Sequence, residues 1–484
     1  MTRTSLTHPL QIVFVSPGTG LGRIGITFCP GKVQPAAATG AWSRELDLDV
    51  QTIADGGAAA VLTLVEDHEL AALKVTGLGG EVKRRHMDWL FAPIPDVSTP
   101  DAAFETAWRE TGEGLRDRLR AGFDIVVHCK GGLGRAGMIA ARLMVELGVP
   151  PDQAITEVRK VRPGAIETAA QERHVRACRP VPEAQPSTSV EAIQDRALGA
   201  LLGLAVGDAV GTTLEFKARD TYPLLTDMVG GGPFGLKAGQ WTDDTAMALA
   251  LADSLAACGG LDEQDLLARF SEWWRKGTCS CTGNCFDIGA TTAQAIRRWE
   301  QTKADHCGST APNSAGNGSL MRLSPVAIRF WRDRPALRDA AARQSRTTHA
   351  AAEAVDACVV YAEMIADAIE GRPRSEILAS RGGPWWGAIG PIVEGSWRGK
   401  PRCDVSASGY VAHALEAALW SVGRAPRFDR AVLHAANLGE DADTTAAIAG
   451  QLAGALGGQS AIPDAWLSRL AWRERLTASA QALL

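Results

Sequence analysis

No stretch of this 484-residue chain approaches 18 uncharged apolar residues, the run a helix needs to cross a bilayer. The sequence therefore predicts no membrane span. The sequence predicts no secretory leader either. Met1 to Leu10 holds one Arg, and the apolar run after it, Ile12-Val13-Phe14-Val15, has only the length of a strand. There is no basic excess: 50 Lys and Arg stand against 55 Asp and Glu, for a net charge of −5. Nucleic acids and anionic membranes favour basic surfaces, so neither partner is signalled. Ten cysteines in a chain this long, without a leader, read as reduced thiols and predict a cytoplasmic protein. No internal repeat or low-complexity segment stands out.

What is present is a hydrophobic fraction of 46% and a charged fraction of 22%, the balance of a globular protein. The length exceeds what one core usually serves, so two or three domains are expected. Residues 1–180 alternate strand and helix signals. Strands are predicted at Ile12–Val15, Ala58–Val65, Trp89–Ile94 and Asp124–His128, with helices near 67–75, 101–120 and 135–147. Such alternation implies a mostly parallel sheet flanked by helices. A linker at 181–190 follows, marked by Pro180, Pro182 and Pro186 among small polar residues. Residues 191–484 turn Ala-rich and apolar-periodic, which predicts an all-α domain. Its helices are expected near 191–208, 243–257, 263–276, 288–300, 320–332, 350–369, 409–422, 428–436 and 443–456.

In the first half, His128-Cys129-Lys130-Gly131-Gly132-Leu133-Gly134-Arg135 lies between a strand and a helix. The glycines let backbone N–H groups curl around a phosphate. The following helix points its positive end at the loop. That end, with Arg135, favours the Cys129 thiolate, the form that acts as a nucleophile. Arg135 can hold two phosphate oxygens. Cys, five residues, then Arg in this setting resembles the cysteine-dependent phosphatases, most of all the dual-specificity branch, over roughly 10–180. The resemblance implies that Cys129 and Arg135 are catalytic and that Lys130, Gly131, Gly132, Leu133 and Gly134 bind phosphate. It makes Asp96 the general acid, with Asp101 as runner-up, although Asp101 more readily starts the next helix. Gln171 matches a family position near the loop but reads first as a surface helix residue. Ala136 departs from the family: many members carry a hydroxyl there that helps the thiolate leave, so slower turnover is expected.

In the second half, Thr242-Asp243-Asp244-Thr245 and Glu440-Asp441-Ala442-Asp443-Thr444-Thr445 both open Ala-rich helices. Adjacent carboxylates repel, and burial makes the repulsion worse. A hard divalent cation such as Mg²⁺ or Mn²⁺ relieves it through oxygen ligands. Brought together, the two helix starts offer oxygens for two cations, the arrangement of two-metal hydrolytic sites. Six ordered motifs resemble the ADP-ribosylglycohydrolases over roughly 193–484: GALLGLAVGDAVGTTLEF (199–216), GQWTDDTAMALALADSL (239–255), CFDIGATT (285–292), GNGSLMRLSPVA (316–327), TTHAAAEAVDAC (347–358) and NLGEDADTTAAIAGQLAGALGG (437–458). The resemblance implies two cations held by Thr242, Asp243, Asp244, Asp441, Asp443 and Thr444. It makes Glu215 and Asp287 catalytic, without deciding which activates water and which protonates the leaving group. Asp208 is expected to hold its loop in shape. Gly316, Asn317, Gly318 and Ser319, read as a helix start at Leu320, would bind the pyrophosphate of ADP-ribose, with His349 near the substrate.

Cys279, Cys281, Cys285 and Cys307, with His306 adjacent, carry zinc-type donors, but not at the usual paired-Cys spacing. Fourteen Trp, Trp273-Trp274 and Trp385-Trp386 among them, read as helix-packing anchors. The expectation is a bifunctional hydrolase. It acts on an ADP-ribosylated protein or an ADP-ribose-containing small molecule, and on a phosphorylated substrate. The alternative is a non-catalytic ADP-ribose reader that targets an active phosphatase.

Overall fold

The computed structural model describes residues 2–37 and 40–484. The chain divides into two compact units, Met1–Glu183 with Arg398–Arg402, and Ala184–Trp397 with Cys403–Leu484.

The first unit is built on a five-stranded sheet. Its spatial order is Val13–Val15, Ile24–Phe28, Ile125–Cys129, Ala60–Thr63, Asp88–Phe91. The edge pair Val13–Val15 and Ile24–Phe28 is antiparallel, and the other three ladders are parallel. Ile125–Cys129 is buried along its whole length, as expected for a strand covered on both faces. Helices cover the sheet, including Ala102–Arg120, Gly134–Glu146, Pro151–Val161 and Ala169–Ala177. The strand Ile24–Phe28 was not among the expected ones. A glycine interrupts its five residues, so no strong run of β-branched side chains marks it. The helices Leu46–Asp55, Leu78–Arg84, Pro151–Val161 and Ala169–Ala177 were likewise not expected, and the helix predicted near 67–75 is the shorter Asp67–Ala72.

The second unit is helical. Among its described residues there is no strand, only isolated bridges such as Gly231↔Leu236 and Gly316↔Tyr410. Two helices form its axis: Val190–Gly211 and Ala442–Gly457. They touch through glycines. A Cβ on Gly203 would sit 2.2 Å from the Gly450 carbonyl oxygen, and one on Gly207 2.1 Å from that of Ala446. Only glycine fits at those positions, so the two backbones approach more closely than side chains would allow. The contact places Asp208, in the last turn of the first helix, beside the first turn of the second. The stretch Val190–Leu214 is long enough to span a bilayer and contains an 18-residue window of mean hydropathy 1.6, yet 89% of that window is buried in the unit. A helix apolar all round is what a core of this size requires.

Several expectations differ in detail, and the helices Asp464–Arg469 and Arg473–Gln481 lie beyond the last one expected. Residues 319–322 lie in turns, and the helix starts only at Ser324, where Pro325 occupies its first turn. Proline is favoured at that position because its missing N–H has no helical partner to lose. The helix Arg334–Thr348 was missed because five charged residues obscure its narrow apolar stripe.

Candidate active sites

In the first unit, Cys129 ends the strand Ile125–Cys129, and Arg135 lies in the first turn of the helix Gly134–Glu146. The carbonyls of the intervening loop are engaged on its outer side. Arg162 donates to Gly132 O at 3.0 Å and to Gly131 O at 3.2 Å, and Lys32 Nζ donates to Lys130 O at 3.4 Å. This leaves the loop's N–H groups as donors for an anion above the thiol. Gly132 has φ of +68°, and a Cβ there would sit 2.5 Å from the Thr27 backbone. The turn therefore requires glycine at that point.

Arg135 is buried. Its Nη1 donates to Glu69 Oε2 at 2.5 Å and to Ile94 O at 2.9 Å, while Nη2 donates to Glu69 Oε1 at 2.9 Å. Nη2 also pairs with Asp96 at 2.9 Å. Burial works to raise the Glu69 pKa, but the hydrogen bonds and charge of Arg135 outweigh it and hold the carboxyl below its ordinary value. Asp101 caps the helix Ala102–Arg120 by accepting from Phe104 N at 2.8 Å. Gln171 is not a surface residue. It is buried, with Oε1 accepting from Glu167 N at 2.9 Å, and it lies against Gly134. His128 is buried and bonded to Thr63 Oγ1 at 2.8 Å, and burial lowers its pKa to about 3. It is a neutral support for the strand end. Glu69 carried no chemical signal in the sequence. Its one mark is the capping box it forms with Glu66.

In the second unit, the helices Asp243–Cys258 and Ala442–Gly457 meet at their N-termini. Thr242 Oγ1 donates to Asp443 Oδ2 at 3.2 Å, and Thr444 Oγ1 donates to Asp244 Oδ1 at 3.2 Å. Asp208 belongs to a helix rather than a loop. It accepts from Thr242 N at 2.9 Å, from Thr245 N at 3.1 Å and from Thr245 Oγ1 at 2.6 Å. It thereby caps the helix Asp243–Cys258 from a distance in sequence. Glu215 does the same for Ala442–Gly457 by accepting from Ala442 N at 2.8 Å. Asp441 accepts from Asn317 Nδ2 at 2.8 Å.

Two donor groups follow from this arrangement: Asp208, Asp244 and Asp443, and Glu215, Asp287 and Asp443. Within each, carboxylate oxygens lie within 4.8 Å of one another. Among the described residues, no lysine or arginine forms an ion pair with them. Burial pushes Asp208 up to about 6 against the bonds from Thr245 and Thr242. Burial, helped by the charge of Asp441, pushes Asp443 up to about 7. Burial and then Asp443 push Asp287 up to about 8 and drive Glu215 far above the carboxylate range. Asp243 and Asp244 are raised strongly, by burial first and then by neighbouring aspartates. Asp244 Oδ2 is buried with no hydrogen-bond partner. All-oxygen donors, mutual repulsion and an orphaned buried carboxylate oxygen together fit divalent cations.

The site opens on a cavity of about 250 Å³. Glu215, Asp243, Asp287, Asp441, Asp443, Thr444, Gly316, Asn317, Gly318 and His349 line it; Thr242 and Asp244 lie behind its wall. Ser319 does not reach it. That side chain is fully buried and bonds to Ser345 Oγ at 2.8 Å. The 316–319 segment is a turn rather than a helix start, since Leu320 N donates to Asn317 O at 2.8 Å. Gly316 N and Asn317 N already donate to Ser314 O and Gly409 O, so an anion there is left the N–H groups of Gly318 and Ser319, with no helix dipole behind them. A Cβ on Gly318 would sit 2.8 Å from the His349 ring, so glycine lets the imidazole lie against the loop. Burial lowers the His349 pKa to about 3, which makes it a neutral wall. Phe216, Asp287 and Glu440 border this region with φ near +60°, each at a cost of roughly 1–3 kcal/mol. All ten cysteines are free. Cys281 bonds to the Trp241 backbone and Cys307 to Ala304 O, and neither donor group above contains a thiol. Trp273 is buried in packing, whereas Trp386 is 66% exposed.

The sequence profile of the ADP-ribosylglycohydrolase family matches residues 189–484. The chain belongs to that family. Residues 33–175 match a second profile, described as Swiss Army Knife protein, DSP-PTPase phosphatase domain. The glycohydrolase unit is 45% identical over 293 residues to the ADP-ribosylarginine hydrolase Tri1 of Pseudomonas putida (strain GB-1), covering 60% of this chain and 78% of that protein. It is 36% identical over 288 residues to the ADP-ribosyl-[dinitrogen reductase] glycohydrolase of Rhodospirillum rubrum, covering 57% and 91%. A solved structure, an ADP-ribosylglycohydrolase-related protein complex, aligns with TM-score 0.55 and 40% identity, covering 61% of this chain and 98% of its own. The protein is an enzyme with an ADP-ribosylglycohydrolase domain and a phosphatase-like domain, as the six motifs and the cysteine loop imply.

Proposed function

We propose that the second unit hydrolyses the N-glycosidic bond between ADP-ribose and a protein arginine, in dependence on two Mg²⁺ or Mn²⁺ ions. We propose further that the first unit hydrolyses phosphomonoesters through Cys129. The observation that carries the first reading is the meeting of two helix starts that gathers Asp208, Asp244 and Asp443 beside Glu215 and Asp287. The arginine linkage rests on the relatives whose names state it.

Asp208, Asp244, Asp443, Thr242, Thr444, Asp243 and Asp441 would hold the cations. When bound, these orient ribose hydroxyls and lower the pKa of water. The bond to the anomeric carbon breaks through an oxocarbenium-like state. Glu215 is fixed through Oε2 by backbone N–H groups, which leaves Oε1 for proton transfer in the cavity. Asp287 faces the same space as the second proton-transferring carboxyl. The loop Gly316–Gly318 and His349 would position the ADP-ribose portion. In the first unit, Cys129 attacks phosphorus while Arg135 holds the phosphoryl oxygens, and Asp96 protonates the leaving oxygen. Asp96 pairs with Arg135 in this structure, so substrate phosphate takes its place on the guanidinium. The free cysteines support a reducing, cytoplasmic setting.

Release of free ADP-ribose from arginine-modified protein, with Mg²⁺ or Mn²⁺ and then with chelator, tests the glycohydrolase reading. Loss of metal-dependent release in Asp443→Asn is expected. Tight ADP-ribose binding without turnover on any linkage would replace it with the reader reading.

A further inference from the structure

Two-thirds of Phe216 is exposed at the edge of the glycohydrolase cavity that it helps to line. A large apolar side chain in that position contributes little to a core. Its backbone is held at φ of +59°, a region that bulky residues rarely enter. Two hydrogen bonds pin it there: Phe216 N donates to Glu440 O, and Glu440 N donates to Lys217 O, both at 2.8 Å. The ring has a neighbour built to support it. Phe234 meets it edge-on at 6.3 Å and leans on Phe286 at 5.1 Å. Phe234 rides on a tight hairpin in which Gly231 and Leu236 exchange hydrogen bonds at 2.7 and 3.0 Å. Strain and support thus converge on one exposed aromatic face. That face stands next to Glu215, and Phe286 stands next to Asp287.

We propose that Phe216 is a specificity residue which receives the guanidinium of the modified arginine, stacked on its ring. The proposal rests on the arginine reading above and names the part of the site that recognises that linkage. A substituted guanidinium is planar, weakly hydrated and cationic, which suits an aromatic face. A serine-linked glycoside offers neither a plane nor a charge to this ring.

The test uses the full-length protein with Mg²⁺, ADP-ribosylarginine as substrate and free ADP-ribose as competitive inhibitor. Phe216→Leu keeps the apolar bulk and removes the π face; Phe216→Tyr keeps the face. The expected result is a KM raised roughly two- to fivefold in the Leu variant, the size of a cation–π contact at an exposed ring. The inhibition constant of free ADP-ribose and kcat stay near wild type, and the Tyr variant retains the wild-type KM. A KM and an inhibition constant that rise together overturn the proposal, because the ring then serves the ADP-ribose portion. An unchanged KM in the Leu variant overturns it while leaving the arginine reading in place. A wild-type protein that releases ADP-ribose from serine-linked but not arginine-linked substrate overturns both.

Discussion

Glu215 caps a helix that begins 227 residues later: its Oε2 accepts the Ala442 N–H at 2.8 Å. The same carboxyl faces the cavity, so support and chemistry share one side chain. One substitution separates them. Glu215→Gln keeps an oxygen for the cap and loses the exchangeable proton. ADP-ribose release should fall by roughly 10²–10⁴-fold with little loss of stability. Urea melts and an ADP-ribose assay on the same preparation decide the matter; near-normal turnover in the Gln variant would move the acid–base role to Asp287.

Asp208 is a second capping residue with a further part. It accepts from both Thr242 and Thr245, and it faces Asp244 and Asp443. Asp208→Ala should cost about 2 kcal/mol in stability, the upper range for a lost cap. Asp208→Asn should retain most of the cap but bind Mn²⁺ roughly 10–100-fold more weakly by calorimetry. Wild-type affinity in the Asn variant would confine Asp208 to capping.

The carboxylate cluster makes stability depend on pH in a definite direction. Asp208, Asp443 and Asp287 rise to about 6, 7 and 8 in the fold, while in the unfolded chain they titrate near ordinary aspartate values. A raised folded pKa means the folded state holds more protons. Stability is therefore fullest below the unfolded pKa and is lost as pH climbs through the folded values. In chelator, the glycohydrolase unit should melt at a lower temperature at pH 8 than at pH 5.5. Excess Mg²⁺ or Mn²⁺ should recover most of that loss at pH 8. Equal melting temperatures in chelator at both pH values would show that the cluster carries no such strain.

The phosphatase reading has its own pair of variants. Cys129→Ser should abolish phosphate release from an aryl phosphate and leave ADP-ribose release intact. Ala136→Ser restores a hydroxyl one position after Arg135 and should speed breakdown of the phosphocysteine. Pre-steady-state kinetics would show a smaller burst and a faster steady rate in the Ser variant. An identical burst in both proteins would remove Ala136 from the account of turnover.

Local chemistry made much of both sites legible in the sequence. The Cys129 loop announces itself because nucleophile, glycines and arginine are contiguous. The two acidic helix starts announce themselves because clustered carboxylates are costly without a cation. Long-range support stayed hidden. Glu69, which grips Arg135, looks like an ordinary charged helix residue until the fold pairs it, and Asp208, read as shaping its own loop, proves to cap a different helix. The strand Ile24–Phe28 adjoins the Cys129 strand throughout its length, yet its short, glycine-interrupted run gives no strong signal. Ser319 shared a motif with Gly316, Asn317 and Gly318, but the turn sends its side chain into the core. Motif membership describes a stretch of backbone; the direction of each side chain depends on turns that the motif does not encode.

The glycine-to-carbonyl seam between the helices Val190–Gly211 and Ala442–Gly457 acts as a spacing gauge for the carboxylates. Asp208 sits at one end of the seam and Asp443 on its partner helix, so their separation is set by how closely the backbones lie. A methyl group at Gly203, Gly207 or Gly450 would wedge the helices apart and pull the two donor groups out of reach of a shared ion. None of these glycines lines the cavity. A survey of inactivating substitutions should nevertheless find them alongside the acidic residues, because the site is calibrated by atoms that are missing.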